Sequence, residues 1–132
     1  MRAIDTNVLA RLLSGDGEEQ VAAAETYVAG GAWVSHVVLV ETIWVLKSVY
    51  RVPPPQLVNA VEILLDHETL VLQEADVVAD ALALYRHNPK LGFSDCLILE
   101  IARKAGHTPL GTLDRSLAKQ PGAELCRDAP VR

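Results

Sequence analysis

Strand-length apolar runs alternate with helix-length segments from one end of this chain to the other, and few folds accept that order. Met1–Asp5, Trp33–Ser35, Leu70–Leu72 and Pro109–Thr112 are too short for stable helices. Each gives way to a helical segment. Val8, Leu9, Leu12 and Leu13 follow the first run, and Val78, Ala81, Leu82 and Tyr85 follow the third, both at the period of one helix face. Strands separated by helices pair in parallel, with the helices covering both faces of the sheet. The expected fold is α/β, a three-layer α/β/α sandwich with a short, mainly parallel central sheet. Residues 1–132 suffice for a single domain that buries about two-thirds of its unfolded surface. No repeat, linker or low-complexity segment interrupts it.

Punctuation residues set the helix limits. Ser14-Gly15-Asp16-Gly17 is a turn, and a second helix runs from Glu18 to Ala29, stopped by Gly30-Gly31. His36 to Tyr50 reads as a third helix with Val37, Val40, Glu41, Trp44 and Ser48 on one side. Pro53-Pro54-Pro55 ends it and suits the first turn of the next, which reaches about His67. Ala75–Asn88 and Ser94–Ala105 are two further helices, the last closed by Gly106. A helical turn follows Asp114, and Glu124-Leu125 reads as an edge strand.

The formal charge of −5, from 17 acids and 12 Lys and Arg, disfavours a stoichiometric nucleic-acid binder. Setting four acids aside for a metal leaves 13 against 12, nearly neutral, so a metal-bearing nuclease stays open. Cys96 and Cys126 form no C-x-x-C or Cys/His cluster, which argues against zinc and suits a reducing compartment. The four His share no ligand spacing. Asp5 and Arg11 interrupt any apolar run at the start, and no uncharged stretch reaches the roughly 20 residues a bilayer requires. A cytoplasmic protein without a membrane partner is expected. Between Val52 and Tyr85 lie six acids and no Lys or Arg. A solvated face explains them more simply than a docking surface for a basic partner.

Four acids carry the chemistry. Asp5, Asp95 and Asp114 each stand at or just before a helix start, where capping of free N–H groups accounts for any one of them. Glu41 is mid-helix, among Val37, Val40, Trp44 and Val45, with no Lys or Arg within a turn. Capping cannot explain it, and burial of an unpaired carboxylate there is costly. Carboxylates at the carboxyl edge of a parallel sheet, without His or Cys, form the ligand set of a hard cation, Mg²⁺ or Mn²⁺. Such an ion activates water and stabilises a phosphate under in-line attack, so phosphodiester hydrolysis is the natural reaction.

Asp5-Thr6-Asn7-Val8-Leu9, Glu41 within Val40–Leu46, Phe93-Ser94-Asp95-Cys96-Leu97-Ile98 and Thr112-Leu113-Asp114-Arg115-Ser116-Leu117 resemble the PIN domain, in particular its VapC-type toxin ribonucleases. The motifs appear in order over essentially the whole chain. The resemblance implies a Mg²⁺-dependent endoribonuclease of a toxin–antitoxin pair. Asp5 and Asp95 would be the principal metal ligands, Glu41 would complete the shell or position water, and Asp114 would be the fourth acid. Thr6, Asn7, Ser94 and Thr112 would orient those carboxylates by hydrogen bonds, with Thr6 and Asn7 capping the first helix in place of Asp5. Leu113 and Ser94 depart from the family's frequent Phe and Ala without removing an acid. A homodimer and a small antitoxin partner are further implications. Arg11, Arg86, Lys90 and Arg115 are candidate phosphate contacts, although ordinary surface charge explains each equally well.

Other readings fit less well. A phosphoacceptor receiver module lacks its acid pair beside Asp5, and its third strand would end at Gln73 rather than an aspartate. A dehalogenase-like phosphatase would want an acid where Asn7 stands. A non-catalytic binding module leaves the complete acid set unexplained. A nuclease for RNA processing or for DNA, outside any toxin–antitoxin system, is the main alternative.

Overall fold

A computed structural model describes residues 1–127. The elements run β1 (Arg2–Ala3), α1 (Thr6–Ser14), α2 (Glu18–Val28), β2 (Ala32–Val34), α3 (His36–Ser48), α4 (Pro54–Leu65), β3 (Leu70–Leu72) and α5 (Ala75–His87). A 3-10 turn (Pro89–Leu91), α6 (Phe93–Ala105), β4 (Leu110–Thr112), α7 (Arg115–Ala118) and β5 (Ala123–Leu125) complete the chain. Local chemistry sets their ends. Ser35 caps α3 by accepting from the Val38 N–H at 3.1 Å, and Pro54 opens α4 where a missing N–H costs nothing. Gly15 closes α1 in the left-handed conformation, with its N–H donating to the Arg11 carbonyl.

β1, β2 and β3 pair in parallel in that order, with Ala3 opposite Trp33 and Trp33 opposite Val71. β4 and β5 form a second parallel pair. The mixed α/β arrangement, helices packed around short parallel strands, is the one expected, with one correction. The strand run Pro109–Thr112 was expected within the one central sheet, yet β4 pairs only with β5 among the described residues. Strands of two or three residues offer so few ladder positions that a slight splay removes the whole ladder between neighbours.

One continuous core joins Ala32, Val34, Leu70 and Leu72 of the strands to Leu9, Leu39, Leu57, Val78 and Leu97 of the helices. The ring edge of Tyr85 on α5 meets Phe93 on α6 with centroids 5.9 Å apart. On the other side of the sheet Ala3, Trp33 and Val71 remain partly open, so the strands are less evenly covered than the alternation suggests. α3 requires a second correction. Its buried face is Leu39, Thr42, Ile43 and Leu46, while Val37, Glu41 and Trp44 face outward. The helix is apolar on nearly every side, and periodicity alone could not tell its inner face from its outer one. No helix among the described residues is long and apolar enough to cross a membrane.

Candidate functional site

Parallel strands end on the same side, and here those ends are laced together. The Gln73 N–H, past β3, donates to the Val34 carbonyl, and Gln73 Oε1 accepts from the His36 N–H at 2.8 Å. Asp5 follows β1 on this edge. Its backbone is extended, and its Oδ1 accepts from the Val8 N–H at 3.1 Å, so Asp5 itself caps α1. That overturns the expectation that Thr6 and Asn7 take this role. Thr6 Oγ1 instead donates to Glu41 Oε2 at 3.4 Å, bringing α3 to the start of α1. The cap occupies one Asp5 oxygen. Oδ2 has no hydrogen bond among the described residues. Glu41 is exposed, so it escapes the burial cost that its apolar neighbours imply.

Asp95 lies in the first turn of α6, half-buried, after a helix start that no side chain caps. Burial pushes its carboxyl above the ordinary carboxylate range, and the negative charge of Asp114 pushes the same way. Asp114 caps α7, with Oδ1 accepting from Ser116 N–H at 2.8 Å and Leu117 N–H at 3.2 Å. Its own N–H donates to Thr112 Oγ1 at 3.0 Å, so this hydroxyl does steady the acid beside it. Cys96, next to Asp95, is fully buried, and its thiol is pushed up to about 12 by burial and by the neighbouring Asp95 and Glu100.

The acids therefore stand as two groups, Glu41 tied to the residue after Asp5, and Asp95 within reach of Asp114. Among the described residues no three Asp, Glu, His or Cys side chains stand close enough together to hold one ion. The donor chemistry nonetheless suits a hard cation. All four are oxygen donors, three are exposed, and Asp95 resists its own charge for want of a positive partner.

The other expected residues separate. Ser94 lines a cavity with Glu41, whereas Asn7 faces a different recess between α1 and α2. Arg11 is committed locally, since its Nη1 donates to the Asp16 carbonyl at 3.0 Å and pairs with Asp16 Oδ2, which Tyr50 also engages. Arg86 is paired with Glu62. Both are thus engaged by surface carboxylates. Lys90 and Arg115 have no ion pair among the described residues and flank Asp95 and Asp114 in the chain. Of the six acids between Val52 and Tyr85, Glu62 meets Arg86, and Glu74 and Asp76 meet Lys104.

A family model described as PIN domain matches residues 3–123. The chain belongs to the PIN domain family. PIN domains are generally nucleases, hydrolases that typically work with divalent metals. No curated protein and no solved structure is matched by the chain. Helix α3 of this PIN domain carries a further feature. Val40, Ile43, Trp44 and Lys47 form a stripe at positions i, i+3, i+4 and i+7 along the wall of the cavity that Glu41 and Ser94 share. That spacing was present in the sequence, but it looked like a buried face.

Proposed function

We propose that this PIN domain is a metal-dependent endoribonuclease, the toxin component of a toxin–antitoxin pair. The supporting observation is that the negative charge of Asp114 raises the Asp95 carboxyl, beside a Thr6–Glu41 bond that brings Glu41 to the residue after Asp5. Asp5, Glu41, Asp95 and Asp114 would hold Mg²⁺, with Mn²⁺ as a substitute. When bound, the ion supplies Lewis-acid stabilisation of the phosphate and a more acidic water. The chain's own part is to orient. Thr6 holds Glu41, and the helix caps at Asp5 and Asp114 fix each carboxylate through one oxygen. Lys90 and Arg115 supply positive charge on either side of Asp95 for the flanking phosphates.

A cytoplasmic location, a homodimer and a small antitoxin that silences the site belong to the same reading. Ile98 and Ile101, exposed about one turn apart on α6, offer apolar surface for a subunit contact. The test is purified protein on mixed RNA, with Mg²⁺, Mn²⁺ or chelator, beside Asp5→Asn and Asp95→Asn. Cleavage should require metal and both acids. Equal cleavage by wild type and variants, or indifference to chelator, overturns the proposal. Co-purification with the product of an adjoining small reading frame tests the toxin role.

A further inference from the structure

The cavity along α3 measures about 320 Å³, and of the four acids Glu41 lines it, with Ser94, the neighbour of Asp95 in the chain. Glu41 and Ser94 stand at one end, Tyr85 and Phe93 contribute further lining, and Trp44 and Lys47 continue it away from Glu41. Glu41 and Lys47 are six helical residues apart, roughly 9 Å along the axis, so they mark separate ends. Trp44 is 63% exposed, an unusual position for the largest apolar side chain. Lys47 is exposed and has no ion pair among the described residues.

We infer that this cavity is a nucleotide subsite, in which a base of the single-stranded substrate stacks on Trp44 while Lys47 holds a phosphate of the same strand. The inference rests on the nuclease reading and adds where the strand runs. A chain of net charge −5 repels a polyanion, so affinity must come from local cations and from contacts that salt does not screen. Stacking on an exposed indole is such a contact, is indifferent to sequence, and tightens a strand about tenfold or more per base. Lys47 supplies the local cation. A protein segment would also cover Trp44, but the cavity's continuity with Glu41 and Ser94 favours the molecule that must reach those acids.

The chain has two tryptophans, so Trp33→Phe leaves Trp44 as the sole indole reporter. This variant, in chelator to prevent cleavage, is titrated with short single-stranded RNA and DNA while indole fluorescence and oligonucleotide anisotropy are followed together. The expected result is saturable quenching that tracks anisotropy. In the wild-type background, Trp44→Ala should weaken binding about tenfold with an unchanged salt slope, and Trp44→Phe should restore most of it. Lys47→Ala should reduce the salt slope by about one. A strand that binds and is cleaved while Trp44 fluorescence stays constant overturns the subsite but leaves the nuclease. Failure of every strand to bind or be cleaved removes both readings. Fluorescence that changes on dilution, in step with oligomeric state and not with added strand, assigns the cavity to a second copy and overturns the inference.

Discussion

Thr6 Oγ1 donates to Glu41 Oε2 across 3.4 Å, a bond between residues 35 apart that ties the start of α1 to the middle of α3. Asp5, one residue earlier, is fixed by its own cap to the Val8 N–H. Glu41 is mobile by nature, an exposed side chain with three rotatable bonds, and this hydroxyl is its partner among the described residues.

Thr6→Val should therefore cost little stability, within about 1 kcal/mol for one exposed hydrogen bond. Cleavage should fall about tenfold, in line with loss of an orienting partner, and Thr6→Ser should restore it. Thermal unfolding and single-turnover cleavage separate the two effects. Full activity in Thr6→Val would show that Glu41 needs no tether.

Asp114 combines two functions that substitution can divide. Asp114→Ala removes both cap bonds of α7 and should cost about 1 kcal/mol. Asp114→Asn keeps an oxygen acceptor and removes the charge, so stability should be nearly preserved while cleavage drops. The Asp95 carboxyl, relieved of a neighbouring negative charge, should shift down toward its ordinary range but remain above it, since burial is the larger cause. A carboxyl-detected NMR titration reads that shift directly.

Helix limits were legible where a single residue dictates them. Pro54 opening α4 and Gly106 ending α6 stand where the sequence places them, whereas Ser35, read as the end of a strand, proves to cap α3. The inward face of α3 was not legible, because apolar residues occupy Val37 and Trp44 outside as well as Leu39 and Ile43 inside. Asp5 as a cap lost out on paper to Thr6, whose hydroxyl went instead to a residue far away in sequence. The pairing of Arg11 with Asp16 was not legible, because Asp16 lies across a turn whose geometry the glycines decide. The four acids were identifiable by type and order. Their separation into two groups depends on side-chain positions that no spacing encodes.

The two cysteines should differ sharply toward alkylating reagents. Only thiolate reacts, and the Cys96 thiol is pushed up to about 12, fully buried beside Asp95 and Glu100. Cys126 is exposed. Iodoacetamide at pH 8 should modify Cys126 in the native protein and reach Cys96 only after denaturation. Mass spectrometry of labelled peptides reads this, and rapid native labelling of Cys96 would mean that the start of α6 opens readily.

Asp95 should stabilise nothing on its own account. Its folded carboxyl titrates above the ordinary 3.8, so the folded state holds a proton that the unfolded chain has already released. Stability then falls as pH rises through the window between 3.8 and the raised value, and the ionised Asp95 remains a cost at neutral pH. Asp95→Asn should accordingly raise Tm at pH 7 in chelator, with the gain vanishing below the window. Adding Mg²⁺ should reverse the ranking. An ion held only by the folded state stabilises by about 2.7 kcal/mol at a hundredfold excess over its dissociation constant, and the variant without the carboxylate should lose that increment together with cleavage. A variant that is more stable without metal, less stable with it and inactive in both would identify Asp95 as a group kept for the ion rather than for the fold. Equal metal-induced shifts in wild type and variant would remove Asp95 from the metal site.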